Sequence, residues 1–225
     1  MAAPVIAICG IATDEASWRD MPVDRIFLPA GDTIDAMADA IAAELPGRFA
    51  LCGHSMGGYV ALAIAARMPE RLAGFALLSS ACTADGDEAK AGRHAAIDQA
   101  RSDFAVLAER LARAMLSRSS RADPVLLADT HAMLLRCGAE RFARQQAAAM
   151  TRVDRCGLLA TLAVPALVLA GEDDGIVAPG RSREMAAALP DAVLHMIPGC
   201  GHVPQREASG ASAAAIAAWR ERMTS

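Results

Sequence analysis

The sequence predicts an α/β fold: one mostly parallel, doubly wound sheet of about six strands, carrying a helical insertion. Three observations lead there. Short apolar runs alternate with helix-patterned stretches along most of the chain. Those runs are continuously apolar, the pattern of strands buried on both faces of a parallel sheet. One block, residues 84–155, is helix-patterned throughout and has no strand-like run.

In chain order, "PVIAIC" (4–9) reads as the first strand and "DRIFLP" (24–29) as the second. "TIDAMADAIAAEL" (33–45) follows as a helix, with Thr33 as its N-cap. "RFALCG" (48–53) is a third strand, running straight into the helical "MGGYVALAIAARM" (56–68). "GFALLSS" (74–80) is a fourth. The insertion then comprises two helical stretches divided near "SRSSRADP" (117–124). "PALVLAG" (165–171), the helix "GRSREMAAAL" (180–189), "AVLHMIPG" (192–199) and the helix "SGASAAAIAAWRERM" (209–223), capped by Ser209, complete the pattern. No repeat or low-complexity linker divides the chain. We therefore expect a core of residues 1–83 and 156–225, with 84–155 inserted as a cap. Ligands of such sheets bind outside the carboxyl ends of the strands, so the cap reads as a lid over a site there.

Composition narrows the function. The 54% hydrophobic and 21% charged residues fit a globular chain and exclude disorder. A net charge of −4 leaves no footprint for nucleic acid or an anionic membrane. No apolar run approaches the ~18 residues of a membrane helix. The start, "MAAPVIAICG", lacks a basic leader and reads as a strand rather than a signal peptide. Cys9, Cys52, Cys82, Cys137, Cys156 and Cys200 are scattered with no CxxC pair. That pattern indicates neither a disulfide framework nor a zinc site, and leads us to expect reduced, buried thiols in a cytoplasmic protein.

"ALCGHSMGGYV" (50–60) carries the chemistry. Gly53-His54-Ser55-Met56-Gly57 is G-x-S-x-G with an apolar strand before it and a helix after it. A serine on so sharp a turn needs neighbours without side chains, which Gly53 and Gly57 supply. The absence of G-x-x-x-x-G-K-[ST] and of a nearby lysine argues against a phosphate loop. A serine nucleophile needs a base, and the base an orienting acid, following in the order Ser, acid, His. His202, in the glycine-bearing loop "PGCGHVPQRE" after the last strand, is preferred to His195, which lies inside that strand. His54 is expected to pack or hydrogen-bond. His94 and His131 fall in the insertion. "GEDDGIVAP" offers Glu172, Asp173 and Asp174 at a strand end, with Asp85 and Asp87 as the fallback. An oxyanion hole needs two backbone donors. Met56 N–H, after the nucleophile, and Ile11 N–H, after the first strand, are the candidates.

Together "GHSMGG", "GEDDGIVAP" and "GCGHVPQRE" resemble the α/β-hydrolase superfamily over essentially the whole chain, with a weaker likeness to small cap-bearing esterases and lyases. The family's G-x-x-D pattern, carried onto Gly171, selects Asp174. Cys9-Gly10 stands where members commonly have His-Gly, and the N-terminal hairpin of many relatives has no counterpart, which implies about six strands. The resemblance implies a serine hydrolase cleaving a small carboxylic ester or thioester with no cofactor and no metal, as a monomer or homodimer. Its catalytic residues would be Ser55, Asp174 and His202, with Met56 and Ile11 as oxyanion donors. The same triad also serves carbon–carbon hydrolases and cofactor-free lyases, and a ligand-binding receptor on this fold is a third reading. Residues 84–155 hold eleven arginines and one lysine against ten acids, too even a balance to specify an anionic substrate.

Overall fold

The computed structural model describes residues 3–224. Its strands are β1 (Val5–Ile8), β2 (Arg25–Phe27), β3 (Phe49–His54), β4 (Leu72–Leu78), β5 (Ala166–Gly171) and β6 (Ala192–Ile197). They form one all-parallel sheet in the order β2-β1-β3-β4-β5-β6. Alternate residues serve opposite faces. Ile6, Ile8, Leu51, Leu77 and Val168 pack with α1 (Ile34–Ala42), α2 (Met56–Arg67) and Met185 of α7 (Pro179–Ala188). Val5, Ala7, Cys52, Leu78 and Leu169 pack beneath Ile216 and Trp219 of α9 (Ser209–Arg222). Both faces are covered, which is why the inner strands read as unbroken apolar runs.

β6 departs from that expectation. It pairs only with β5, and its Val193, Leu194 and His195 are exposed. An edge position leaves this strand half-covered although its sequence resembles the inner ones. The last helix also differs at its start. Ala208 is the N-cap and Ser209 the first helical residue, because α8 (Pro204–Glu207) runs almost directly into α9.

Between β4 and β5 lie α3 (Asp87–Ser102), α4 (Phe104–Met115) and α5 (Pro124–Ala149), then the short α6 (Cys156–Leu159). The first expected helical stretch is broken at Asp103, whose extended backbone and side chain cap Val106 N–H. Gly138 kinks α5 with φ +74°. Leu107, Leu134, Cys137 and Phe142 form a separate small core under these helices.

The expectation that all cysteines are reduced is corrected here. Cys82 and Cys156 form a disulfide, whereas Cys9, Cys52, Cys137 and Cys200 are free and buried. The bonded pair is 74 residues apart in sequence but flanks the helical insertion. Closing both ends of the insertion onto the sheet brings the two sulfurs together.

The strand order also places a crevice. After β1 the chain crosses to β2 on one side, and it then returns to β3 on the other. The loops following β1 and β3 diverge, and their carboxyl ends flank the switch point where such sheets bind ligands.

Candidate active site

Ser55 sits at that point, between β3 and α2, with φ +53° and ψ −118°. A side chain in this region costs about 1–3 kcal/mol and persists only where surroundings enforce it. Here Ser55 N–H donates to Leu78 O at 2.9 Å, Gly58 N–H donates to Ser55 O at 2.9 Å, and Ser80 Oγ donates to the same oxygen at 2.8 Å. The flanking glycines are required by contact. A Cβ on Gly53 would lie 2.5 Å from Gly57 O, and one on Gly57 would lie 2.1 Å from Ile8 O of β1. No backbone oxygen can yield that far.

Ser55, His202 and Asp174 are brought together from three strand ends. Ser55 Oγ lies 3.0 Å from His202 Nε2, and His202 Nδ1 lies 2.9 Å from Asp174 Oδ2. Both outer bonds are buried. Asp174 Oδ1 also accepts from Ile176 N–H at 2.8 Å and Val177 N–H at 2.9 Å. Burial pushes the Asp174 carboxyl up, but the His202 bond and charge and these two amides outweigh it, holding it below the usual carboxylate range. An ionised Asp174 fixes the proton of His202 on Nδ1 and leaves Nε2 as an acceptor facing the serine. The backbone of His202 is held in turn by Met115 O of α4, which accepts its N–H at 2.7 Å.

The other sequence candidates lie elsewhere. Glu172 and Asp173 are exposed. His195 faces outward on β6, and His94 and His131 do not line the cleft that contains Ser55. Buried His54 uses Nε2 as a donor to His202 O at 2.9 Å, and burial, followed by the neighbouring His202, lowers its pKa to about 3. It is neutral and engaged away from the serine. Burial raises the Cys52 thiol well above its ordinary value and the Cys9 thiol to about 12, so neither offers a thiolate.

The loop after β1 can be accounted for amide by amide. Gly10 N–H donates to Thr13 Oγ1 at 2.8 Å, Ala12 N–H to Gln145 Oε1 at 2.9 Å, and Thr13 N–H to Gly10 O. Ile11 N–H donates to no group among the described residues, and neither does Met56 N–H at the start of α2. Ile11, Ala12, Ser55 and His202 line one cleft of about 370 Å³. Tyr59 and the segment after β4 line it as well, and much of its remaining wall comes from the insertion, through Leu111, Met115, Phe142, Gln146 and Arg152, and from the Asp174 loop. Gln145 went unread in the sequence. The glutamine pair in the otherwise alanine- and arginine-rich "ERFARQQAAAM" was its only signal.

A family model described as Serine aminopeptidase, S33 (Hydrolase_4) matches residues 29–209. The chain belongs to this α/β-hydrolase family. It is 30% identical over 206 residues to a pimeloyl-[acyl-carrier protein] methyl ester esterase of Neisseria meningitidis serogroup B, covering 84% of this chain and 77% of that one. The protein of the same name from Nitrosomonas europaea is 30% identical over 181 residues, covering 77% and 71%. Among solved structures, a thermophilic esterase from Thermogutta terrifontis, determined with malate bound, superimposes with a TM-score of 0.88 at 28% identity, covering 100% of this chain and 92% of its own. The enol-lactonase of Burkholderia xenovorans LB400, at 23% identity and a TM-score of 0.82, shares the fold. This α/β-hydrolase is an enzyme of the ester-hydrolysing class. No helix among the described residues is long and apolar enough to cross a membrane.

Proposed function

We propose that the protein is a serine hydrolase that cleaves a small carboxylic ester or thioester through Ser55, His202 and Asp174. The observation that carries this reading is the continuous line of hydrogen bonds, 3.0 Å from Ser55 Oγ to His202 and 2.9 Å from His202 to Asp174, opening into a cleft. As Ser55 Oγ attacks the ester carbonyl carbon, His202 Nε2 takes its proton, and Asp174 stabilises the imidazolium. The carbonyl oxygen becomes an oxyanion beside the two unoccupied amides of Ile11 and Met56, at the N-terminal end of α2 where the helix dipole favours negative charge. Collapse expels the alcohol, which receives the proton from His202. Water activated by His202 then hydrolyses the acyl-enzyme and restores the serine. Residues 84–155 act as a cap that forms one wall of the cleft.

The methyl ester named for the Neisseria and Nitrosomonas relatives supports the ester over a carbon–carbon bond as the scissile group. Hydrolysis of short p-nitrophenyl esters by wild type and Ser55→Ala tests the proposal. The serine variant loses on the order of 10⁶-fold in kcat, and a fluorophosphonate labels Ser55 alone. Equal rates, or label on another residue, refute the assignment.

A further inference from the structure

The sequence left the charges of the insertion evenly balanced, but the structure sorts them. The charged side chains lining the cleft around Ser55 are Arg93, Arg152 and Arg181 against a single carboxylate, Asp85. Asp85, on the segment leading from β4 into α3, is enclosed by two guanidinium groups. Its Oδ1 pairs with Arg152 Nη2 at 2.7 Å and its Oδ2 with Arg93 Nε at 2.7 Å.

The two arginines differ in what else they do. Each guanidinium nitrogen of Arg152 has a partner. Its Nε donates to Thr83 O, its Nη1 to Ala149 O, and its guanidinium lies 4.1 Å from the centre of the Tyr59 ring. That set alone neutralises Asp85 and ties the neck of the insertion together. Arg93 is surplus to it. Its Nε and Nη1 bond Asp85 and Gln146 Oε1, whereas Nη2 has no hydrogen-bond partner among the described residues, nor has Gln146 Nε2. The cluster therefore carries one positive charge beyond what Asp85 balances. The Asp85, Arg152 and Arg93 side chains are only 3%, 8% and 18% exposed. An unmatched charge so poorly solvated is unfavourable until an anion meets it.

We propose that Arg93 and Gln146 form a carboxylate subsite, so that the preferred ester carries a free carboxylate remote from its scissile bond. The inference rests on Ser55 being the nucleophile of this cleft. The unpartnered Nη2 of Arg93 and Nε2 of Gln146 give a carboxylate one charged and one neutral donor group, and a single surplus charge matches a monoanion. Ile11, Leu111, Met115 and Phe142 supply an apolar wall for the chain between carboxylate and ester, and a cleft of about 370 Å³ limits that chain to a small molecule. Linear dicarboxylic acid monoesters have this form, as do acyl esters of short hydroxy acids.

Two probe series place the carboxylate on either side of the ester: monomethyl succinate through suberate, and butyryl esters of glycolate through 4-hydroxybutyrate. Each is compared with the uncharged ester of the same length. In at least one series a carboxylate-bearing ester should have a KM on the order of 10–100-fold lower than its neutral match. Arg93→Gln should reduce that preference at least tenfold, and Arg93→Lys, which retains the charge without the fork, should recover part of it. Binding is also read without chemistry, by titrating monomethyl adipate into Ser55→Ala protein, where it should bind at least tenfold more tightly than to the Ser55→Ala,Arg93→Gln control. No preference in either series, or an Arg93→Gln loss of equal size on charged and neutral esters, overturns the subsite and leaves Arg93 a brace of the neck. Turnover of the neutral esters that survives Ser55→Ala overturns the nucleophile instead, and the two failures are distinguished by the monomethyl adipate titration.

Discussion

Breaking the Cys82–Cys156 bond should lower stability by an amount that its position in the chain sets. The bond closes a loop of 74 residues around the entire helical insertion. The chain-entropy relation assigns such a loop about 15 cal/mol/K, or about 4.5 kcal/mol at 25 °C, as a ceiling on what the crosslink removes from the unfolded ensemble. In a domain of this size each kcal/mol moves the thermal midpoint by about 2–4 °C, so the full effect is a fall of roughly 9–18 °C. Cys82→Ser,Cys156→Ser and oxidised wild type are compared by thermal unfolding at one pH. Thiol titration in guanidinium accompanies them, to count four free thiols before reduction and six after it. Coincident midpoints would refute the loop-closure argument, and six thiols without reductant would refute the bond itself.

Two further outcomes follow from the site. Gln145→Leu removes the acceptor of Ala12 N–H, leaving a buried donor unpaired and the Ile11 loop loosened. Steady-state kinetics should give a kcat about 10–100-fold lower with little change in KM, and Gln145→Glu, which keeps an acceptor, should lose less. An equal loss in Glu and Leu variants would contradict this role. For Asp174, the folded carboxyl titrates below its unfolded value. Its contribution to stability is therefore present above about pH 4 and is lost as pH falls through the lower folded value. The midpoint difference between wild type and Asp174→Asn should shrink as pH is taken from 6 toward 2, while kcat of the variant at neutral pH falls about 10³–10⁴-fold. A difference that is constant with pH would show that Asp174 gains nothing from its partners.

The order of elements and the G-x-S-x-G turn were legible because they are local. A strand, a turn lacking side chains and a helix each leave their mark within a few residues. His202 and the acidic run 172–174 were legible because each follows the end of a strand, and strand ends in a parallel sheet gather on one edge; the choice of Asp174 within that run came from the family's G-x-x-D pattern. Features set by how distant segments meet were not. β6 resembles the inner strands in composition, and only the strand order reveals that no strand among the described residues pairs with its outer edge. Cys82 and Cys156 carry no spacing signal because the insertion between them could have any length. Gln145 is 133 residues from Ala12. Asp85, expected at most as a stand-in for the catalytic acid, is instead occupied by two arginines whose balance no residue count can show.

The same contacts change how the insertion should be regarded. A lid that swings freely must be independent of the groups it covers, and this one is not. Met115 at the end of α4 accepts the His202 N–H, and Glu207 beside that histidine accepts the N–H of both Ser117 and Gly201. Gln145 near the end of α5 holds the loop of Ile11, and Arg141 donates to Thr13 O in that loop. Lifting α4 and the second half of α5 would therefore release both the His202 segment, proposed to carry the base, and the Ile11 loop, proposed to carry one oxyanion donor. α3 makes no such contact with the Ser55, His202 or Ile11 segments, and most of its residues are exposed. It carries Arg93, which bonds Asp85 and Gln146, and it packs on α4 and α5 through buried Ala100 and the bond from Arg110 Nη2 to Gln99 Oε1. The insertion is thus a packed three-helix unit in which α4 and α5, but not α3, hold the segments of the site. Arg93 therefore stands on the one helix of the insertion that bonds neither the His202 nor the Ile11 segment, so Arg93→Gln tests the proposed carboxylate contact without loosening either of them.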